Sequence, residues 1–545
     1  MKRLRPQAVV ATVVLTLLTA TMVPSRTLVA AEKPAVVVSV SSVDGLLSNI
    51  EYLTGAAGTG QIGLLARVLA TPYLEGLDKQ RPIGVLVEIA GAPTGMAFVP
   101  VADFDKVLAK IEEVAAAPED VGGGVKELDL QQRSIFFKEK NGWAFISDNA
   151  ASLSELPENP GQLLDGLDKT YQVAVRVNVP SIPEPVRQMA IAEMRKGFQQ
   201  SVAGELDAQQ RQLQESLGGQ SLDGLIRFVE EADQVTVGLG VDHDSGSTYL
   251  DFNVTALPGT TLAKQMAEVA ATKSDFTGFL LPDAAATLHF SSPVSEEEKA
   301  QTLMMLNVAR QKAIEEIDGD DDLPSDEARA KAKQVANSLI DVFQDTINSG
   351  LLAGGASLLL DGTKVQLVAG GYVADGTAVE RNLRELVELT KKSDDAPEVV
   401  FNAGKHGDVN LHTVSLPVPD DEEEARRVLG DELVVVVGTG SKSVYLALGD
   451  GGVDLIKKVI DSSASNNKDA SPMILSVALG PILRFAAKFE NDPKFAALAD
   501  ALADAQGKDH ISIEAIPIDR GMSYRLGIEN GVLQLIGKAA SMQNR

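Results

Sequence analysis

The chain has 545 residues, 44% hydrophobic and 23% charged, with 76 acidic against 49 basic side chains and a formal net charge of −27. That apolar share excludes a disordered chain and a multi-span membrane protein, and the length leaves room for roughly two to four domains. So acidic a balance argues against nucleic acid and anionic membranes as partners. Cysteine is absent, which excludes disulfides, thiolate metal ligands, a Cys nucleophile and a lipid-modified Cys anchor.

The N-terminus reads as an export signal. Lys2, Arg3 and Arg5 precede an apolar run from Ala8 to Val23, Pro24 and Ser25 break it, and Val29, Ala30 and Ala31 follow as small residues. Charge, short apolar core and small-residue site is the order of a secretory signal peptide. The core is shorter than the ~20 residues of a spanning helix. Residues 1–31 are therefore expected to be a signal peptide cut after Ala31 or Ala30, with an uncleaved anchor as the alternative. No later stretch is long and apolar enough to span a bilayer. The expected location is secreted or periplasmic, in a bacterial style of cell envelope. Cleavage would remove Lys2, Arg3, Arg5 and Arg26 and no acid, leaving the protein more acidic still.

Beyond the signal, one pattern recurs four times: a β-rich run, a helical stretch, a two-stranded hairpin and a further helix. The first copy runs from 35–40 through strands 83–90 and 96–101 to the helix opened by Asp103. The second comprises 172–179, 234–241, 248–256 and the helix after Pro258; the third 285–291, 357–371 and a helix near Val379. The fourth comprises 473–479, 510–517, 522–529 and the helix near Val532. A different hairpin separates copies one and two (134–147) and copies three and four (433–448), the former with the Asn141-Gly142 signature of a type I′ turn. Corresponding turns near 91 and 362, 142 and 440, and 245 and 520 lie at nearly equal intervals.

The expected fold is therefore α+β, with two duplicated halves (32–275 and 276–545) of antiparallel sheet covered by helices on one face. Alternation such as Leu250, Phe252 and Val254 against Asp251, Asn253 and Thr255 predicts one covered apolar face and one wet face. Segments 183–230 and 295–348 read as polar helical pairs that protrude or line a groove.

Motifs that could carry chemistry are sparse. Asp318, Asp320 and Asp322 match the opening ligands of an EF-hand loop, but Leu323 stands at the glycine position and Arg329 at the closing glutamate, so only weak calcium binding is expected. Gly58-Thr59-Gly60-Gln61-Ile62-Gly63 spells a dinucleotide fingerprint after a helical rather than a strand segment, which reads as a helix break. Gly438–Ser443 has the wrong spacing for a phosphate loop and reads as a hairpin turn. The densest polar set is His406, Asp408, Asn410 and His412; on one strand face its outer histidines would stand ~20 Å apart, too far to share a metal. His406, Asp408 and His412 are nonetheless the candidates for a catalytic or metal site. His243, His289 and His510 are scattered, neither a Gly-x-Ser-x-Gly elbow nor His-Glu-x-x-His occurs, and the single Trp143 beside the Asn-Gly turn reads as a packing residue.

These features favour a secreted, non-enzymatic envelope protein: a binding or scaffolding module whose partner is an apolar ligand, a peptide or an envelope protein. One alternative is an exported, metal-assisted hydrolase whose site is not readable from motifs. The other is a self-assembling surface protein. No cofactor is expected beyond weakly bound calcium.

Overall fold

A computed structural model describes residues 33–543 except 90–92, 114, 116, 131–132, 203–207, 321–322, 324, 391–396, 420, 466–469, 491, 503–504 and 506; the side chains of 201–217, 220, 390 and 543 are also outside it. The expected signal peptide, residues 1–31, lies outside the described residues. The chain is mixed helix and strand, and every strand pairing described below is antiparallel.

The strands are β1 Val36–Val40, β2 Ile83–Ile89, β3 Pro93–Pro100, β4 Glu119–Gly122, β5 Val125–Asp129, β6 Ser134–Lys140, β7 Trp143–Ser147, β8 Val173–Asn178, β9 Ala232–Asp242 and β10 Ser247–Ala256. There follow β11 Ala286–Pro293, β12 Leu351–Asp361, β13 Lys364–Tyr372, β14 Glu398–His406, β15 Val409–Pro417, β16 Glu432–Thr439, β17 Ser443–Leu448, β18 Met473–Ala478, β19 His510–Ile518 and β20 Gly521–Glu529. The described residues divide into two compact units, the first ending at Ala263 and resuming at Asp519, the second running from Lys264 to Ile518.

In the first unit the strand order is β4-β5-β6-β7-β3-β2-β1-β8-β9-β10-β20. Asn141 and Gly142 both have positive φ (54° and 72°), the backbone that a type I′ turn between β6 and β7 requires. Val37, Leu86, Phe98, Trp143, Phe145 and Leu164 form the main core on one face. Gly84 leaves room for it: a Cβ there would stand 2.2 Å from the Phe98 ring. Leu128, Ile135 and Phe137 form a second cluster with Phe104, Ile111 and Ile146. Phe145 and Ile146 are consecutive and so point to opposite faces. Apolar clusters thus lie on both faces at this end of the sheet, and the expected division into one covered and one wet face does not hold there.

In the second unit the order is β14-β15-β16-β17-β13-β12-β11-β18-β19. Helix Gly452–Ser465 lays Leu455, Ile456 and Val459 against Val368, Leu411, Val436, Tyr445 and Ala447, with Phe276 and Phe279 closing the core. Gly355 and Gly370 admit Phe279, since a Cβ on either would come within 2.7 and 3.0 Å of its side chain. The two polar segments fold as helices Glu184–Val202 and Ala208–Glu231 in the first unit and Glu296–Gly319 and Asp326–Asn348 in the second. Ser295 opens the third of these with a full capping box to Glu298. No helix among the described residues is long and apolar enough to cross a membrane.

Candidate functional site

An apolar groove of about 380 Å³ lies in the second unit, bounded by helix Asp326–Asn348 and strands β11, β12, β13 and β17. Register explains its shape. Phe290 pairs with Gly354, Gly354 with Gly371, and Gly371 with Val444. Two glycines therefore make the floor while Phe290 and Val444 rise on either side. The next row repeats the arrangement, Ala369 pairing with Leu446. The glycines are required by close strand approach: a Cβ on Gly354 would lie 2.6 Å from the Gly370 carbonyl, and one on Gly371 2.8 Å from that of Ala353. Leu339, Val342, Phe343 and Ile347 of the helix supply the opposite wall, Phe343 being 56% exposed.

No lining residue is charged. Thr346, one of the few polar ones, has its hydroxyl engaged, donating to the Val342 carbonyl at 2.7 Å and accepting from the Ala374 N–H at 3.0 Å. Such a wall offers dispersion and desolvation but no counter-ion, so it selects an apolar moiety.

The first unit exposes apolar surface of another kind, a flat sheet face. Val175 pairs with Val237, Val237 with Phe252, and Phe252 with Tyr524; beside them run Leu239, Leu250 and Leu526. These seven side chains on four adjacent strands are each 36–44% exposed. In the middle of β10 the expected inside and outside are thus reversed, with Leu250 and Phe252 exposed and Asp251 only 2% exposed, while Val254 is buried as expected. Its carboxylate accepts two hydrogen bonds from Arg525 at 2.8 and 2.9 Å and one from the Tyr171 hydroxyl at 3.0 Å. Arg525 also lies 4.0 Å over the Tyr249 ring. Gly238 and Gly240 cause the reversal: a Cβ on them would stand 2.5 and 2.2 Å from the Tyr171 and Tyr249 rings. The glycine side of β9 thus seats two tyrosines and leaves its valines and leucine outside. Burial pushes the Tyr171 phenol up, and Asp251 adds to the shift.

The residues singled out in the sequence are separated by the structure. The segment 405–412 is a hairpin rather than one strand: His406 ends β14, Gly407 turns at φ 61°, and Val409 opens β15 opposite His406. His406 reaches Asp461 at 2.6 Å, and Asp408 accepts from the Ser441 hydroxyl at 3.3 Å. His412 instead lies fully buried, not on a wet strand face as expected. Its Nδ1 accepts the Asn402 backbone N–H at 3.2 Å, so Nε2 carries the proton and donates to Thr439 Oγ1 at 3.0 Å. Thr439 passes its own hydrogen to Glu380 at 3.1 Å, where Asn410 and Arg384 also converge. Burial opposes ionisation of Glu380, but the hydrogen bonds from Arg384, Asn410 and Thr439 together hold its carboxyl below the ordinary range. Burial likewise lowers His412, against the pull of Glu380. This is a saturated network in which the imidazole has no free nitrogen for a substrate or an ion.

Asp318 lies in the last turn of its helix and is ion-paired with Lys333, while Asp320 is the C-cap residue and its carbonyl accepts from Arg329 at 3.1 Å. Asp322 lies outside the described residues. Gly58, at φ 70°, breaks helix Val43–Ala56 from helix Gly60–Ala70, and Gly438–Ser443 is the turn joining β16 to β17, both as expected. Trp143 is buried in the core with the Arg81 guanidinium 4.5 Å over its ring. The groove was missed in the sequence because its floor is assembled from strands far apart in the chain; its one legible sign was the Gly370-Gly371 pair inside a strand.

No family model, curated protein or solved structure matches the chain.

Proposed function

We propose that this is a secreted, non-enzymatic envelope protein, a binding module that holds an apolar ligand in the groove beneath helix Asp326–Asn348. The observation that carries the reading is the groove itself: about 380 Å³, walled by Phe290, Phe343, Leu352 and Leu446, with no charge in its lining. That volume falls within the range of small-molecule sites, roughly 300–1,000 Å³. The exposed apolar sheet face of the first unit supports the same ligand chemistry. The signal-like order of residues 1–31 supports export.

The reading includes duplicated halves. Adding ten to each strand number in the order β4-β5-β6-β7-β3-β2-β1-β8-β9 reproduces β14-β15-β16-β17-β13-β12-β11-β18-β19. Two halves of unrelated origin have little reason to share so particular an order.

The test is fluorescence titration with a long-chain polyene fatty acid, alongside native mass spectrometry of the protein purified from its own envelope before and after denaturation. Phe343→Asp places a charge in the wall at an already exposed position. It should weaken probe binding about tenfold or more, since burying one Phe is worth about 1.5–3 kcal/mol. Equal affinity of wild type and variant, or no binding to either, refutes the reading.

A further inference from the structure

Helix Gly60–Ala70 has an apolar face that no other element among the described residues covers. Ile62, Leu64, Leu65, Val68 and Leu69 are 48–67% exposed, and Tyr73 in the following turn is exposed as well. At 100° per residue the five span an arc of about 160°. The opposite side is the packed one: Gly63 abuts helix Val43–Ala56, where a Cβ would stand 2.8 Å from the Glu51 Cα, and Arg67 is ion-paired with Glu51. The only cation on this helix is therefore neutralised on its packed side.

Charge distribution points the same way. From Tyr52 to Leu74 and from Asn530 to Arg545 the sequence contains no Asp or Glu, although 76 of its 545 residues are acidic. These two segments meet in space. Helix Asn530–Gln543 packs on helix Val43–Ala56, with Gly537 directly against the Ala57 carbonyl, and its Ile536 is 56% exposed. Both segments thus carry no acid of their own, the acids of the helix between them being Asp44 and Glu51, the latter ion-paired with Arg67, and the longer segment holds this exposed aliphatic helix.

We propose that this acid-free face, centred on helix Gly60–Ala70, seats the protein on a lipid bilayer surface. Composition favours a bilayer over a second copy. The five exposed apolar side chains of the helix are all aliphatic, whereas the anchors of protein interfaces are enriched in Trp, Tyr and Arg, with Leu and Val under-represented. Shallow insertion needs no matching surface: an apolar helical face enters the acyl boundary, and a tyrosine at its end suits the headgroup level. Because the driving force is apolar, docking does not require anionic lipid.

The experiment is co-sedimentation of the full chain, purified from an exporting host with its N-terminus determined, with phosphatidylcholine vesicles at low and high salt. Wild type should sediment with the vesicles, with little salt dependence. Leu65→Glu/Val68→Glu should lower the vesicle-bound fraction about tenfold or more while its melting temperature and fatty-acid probe binding stay unchanged. The probe readout separates failure here from failure of the groove reading. Absence of wild-type binding overturns the proposal, as does equal binding of the variant. A wild-type dimer in sedimentation velocity that the variant abolishes, without vesicle binding, overturns it in favour of a second copy.

Discussion

Replacing Asp251 tests whether the first unit depends on its buried clasp. In Asp251→Leu the Arg525 guanidinium loses both acceptors and the Tyr171 hydroxyl loses one, though Asn253 still donates to that hydroxyl at 2.7 Å. Breaking a buried ion pair from one side costs about 3–5 kcal/mol. Here the Arg525 side chain is 38% exposed and keeps its contact with Tyr249, which places the loss at the lower end. The expected destabilisation is about 3 kcal/mol. Trp143, the only tryptophan, sits in the core of the same unit, so its fluorescence during urea unfolding reports this unit. Asp251→Leu/Arg525→Leu removes the stranded charge and should recover to within about 1 kcal/mol of wild type. A single variant within about 0.5 kcal/mol of wild type refutes the argument. So does a double variant no more stable than the single one.

The second unit carries a pH signature. Burial holds His412 and His289 below the ordinary imidazole range, so the unfolded chain binds their protons first and stability is lost as pH falls below about 6.5. His412→Gln should flatten the decline between pH 6.5 and 5.5 by up to about 1.4 kcal/mol per pH unit; unfolding curves with the same pH slope in both proteins contradict the buried, neutral assignment. Gly278→Ala would place a Cβ 2.0 Å from the Val459 carbonyl and 2.5 Å from the Ser463 amide. Overpacking of that kind costs about 1–3 kcal/mol, and an unchanged chemical-denaturation midpoint would contradict the close packing of Gly278 on helix Gly452–Ser465.

Local chemistry made much of the fold legible. The Asn141-Gly142 turn, the alternating hairpins, the helices that follow them and the break at Gly58 are all set by residues within a few positions of one another, and all are found where the sequence places them. Which way a strand faces is not local. Leu250 and Phe252 have the pattern of a buried face, and only the tyrosines seated against Gly238 and Gly240 decide that Asp251 is the one covered. His412 shows the same limit from the other side: its neighbours suggest a polar strand, but the Gly407 turn and Glu380, more than thirty positions earlier, bury it in a closed network. The groove depends on four strands drawn from 286–448 lying in one register, and on a helix held over them. The sequence by itself determined most of the helices and hairpins, because those energies act over a few residues, though not the β14–β15 hairpin that turns at Gly407. Tertiary structure alone decided the faces, the clasp and the groove, because glycine's missing side chain has meaning only when a distant residue fills the space.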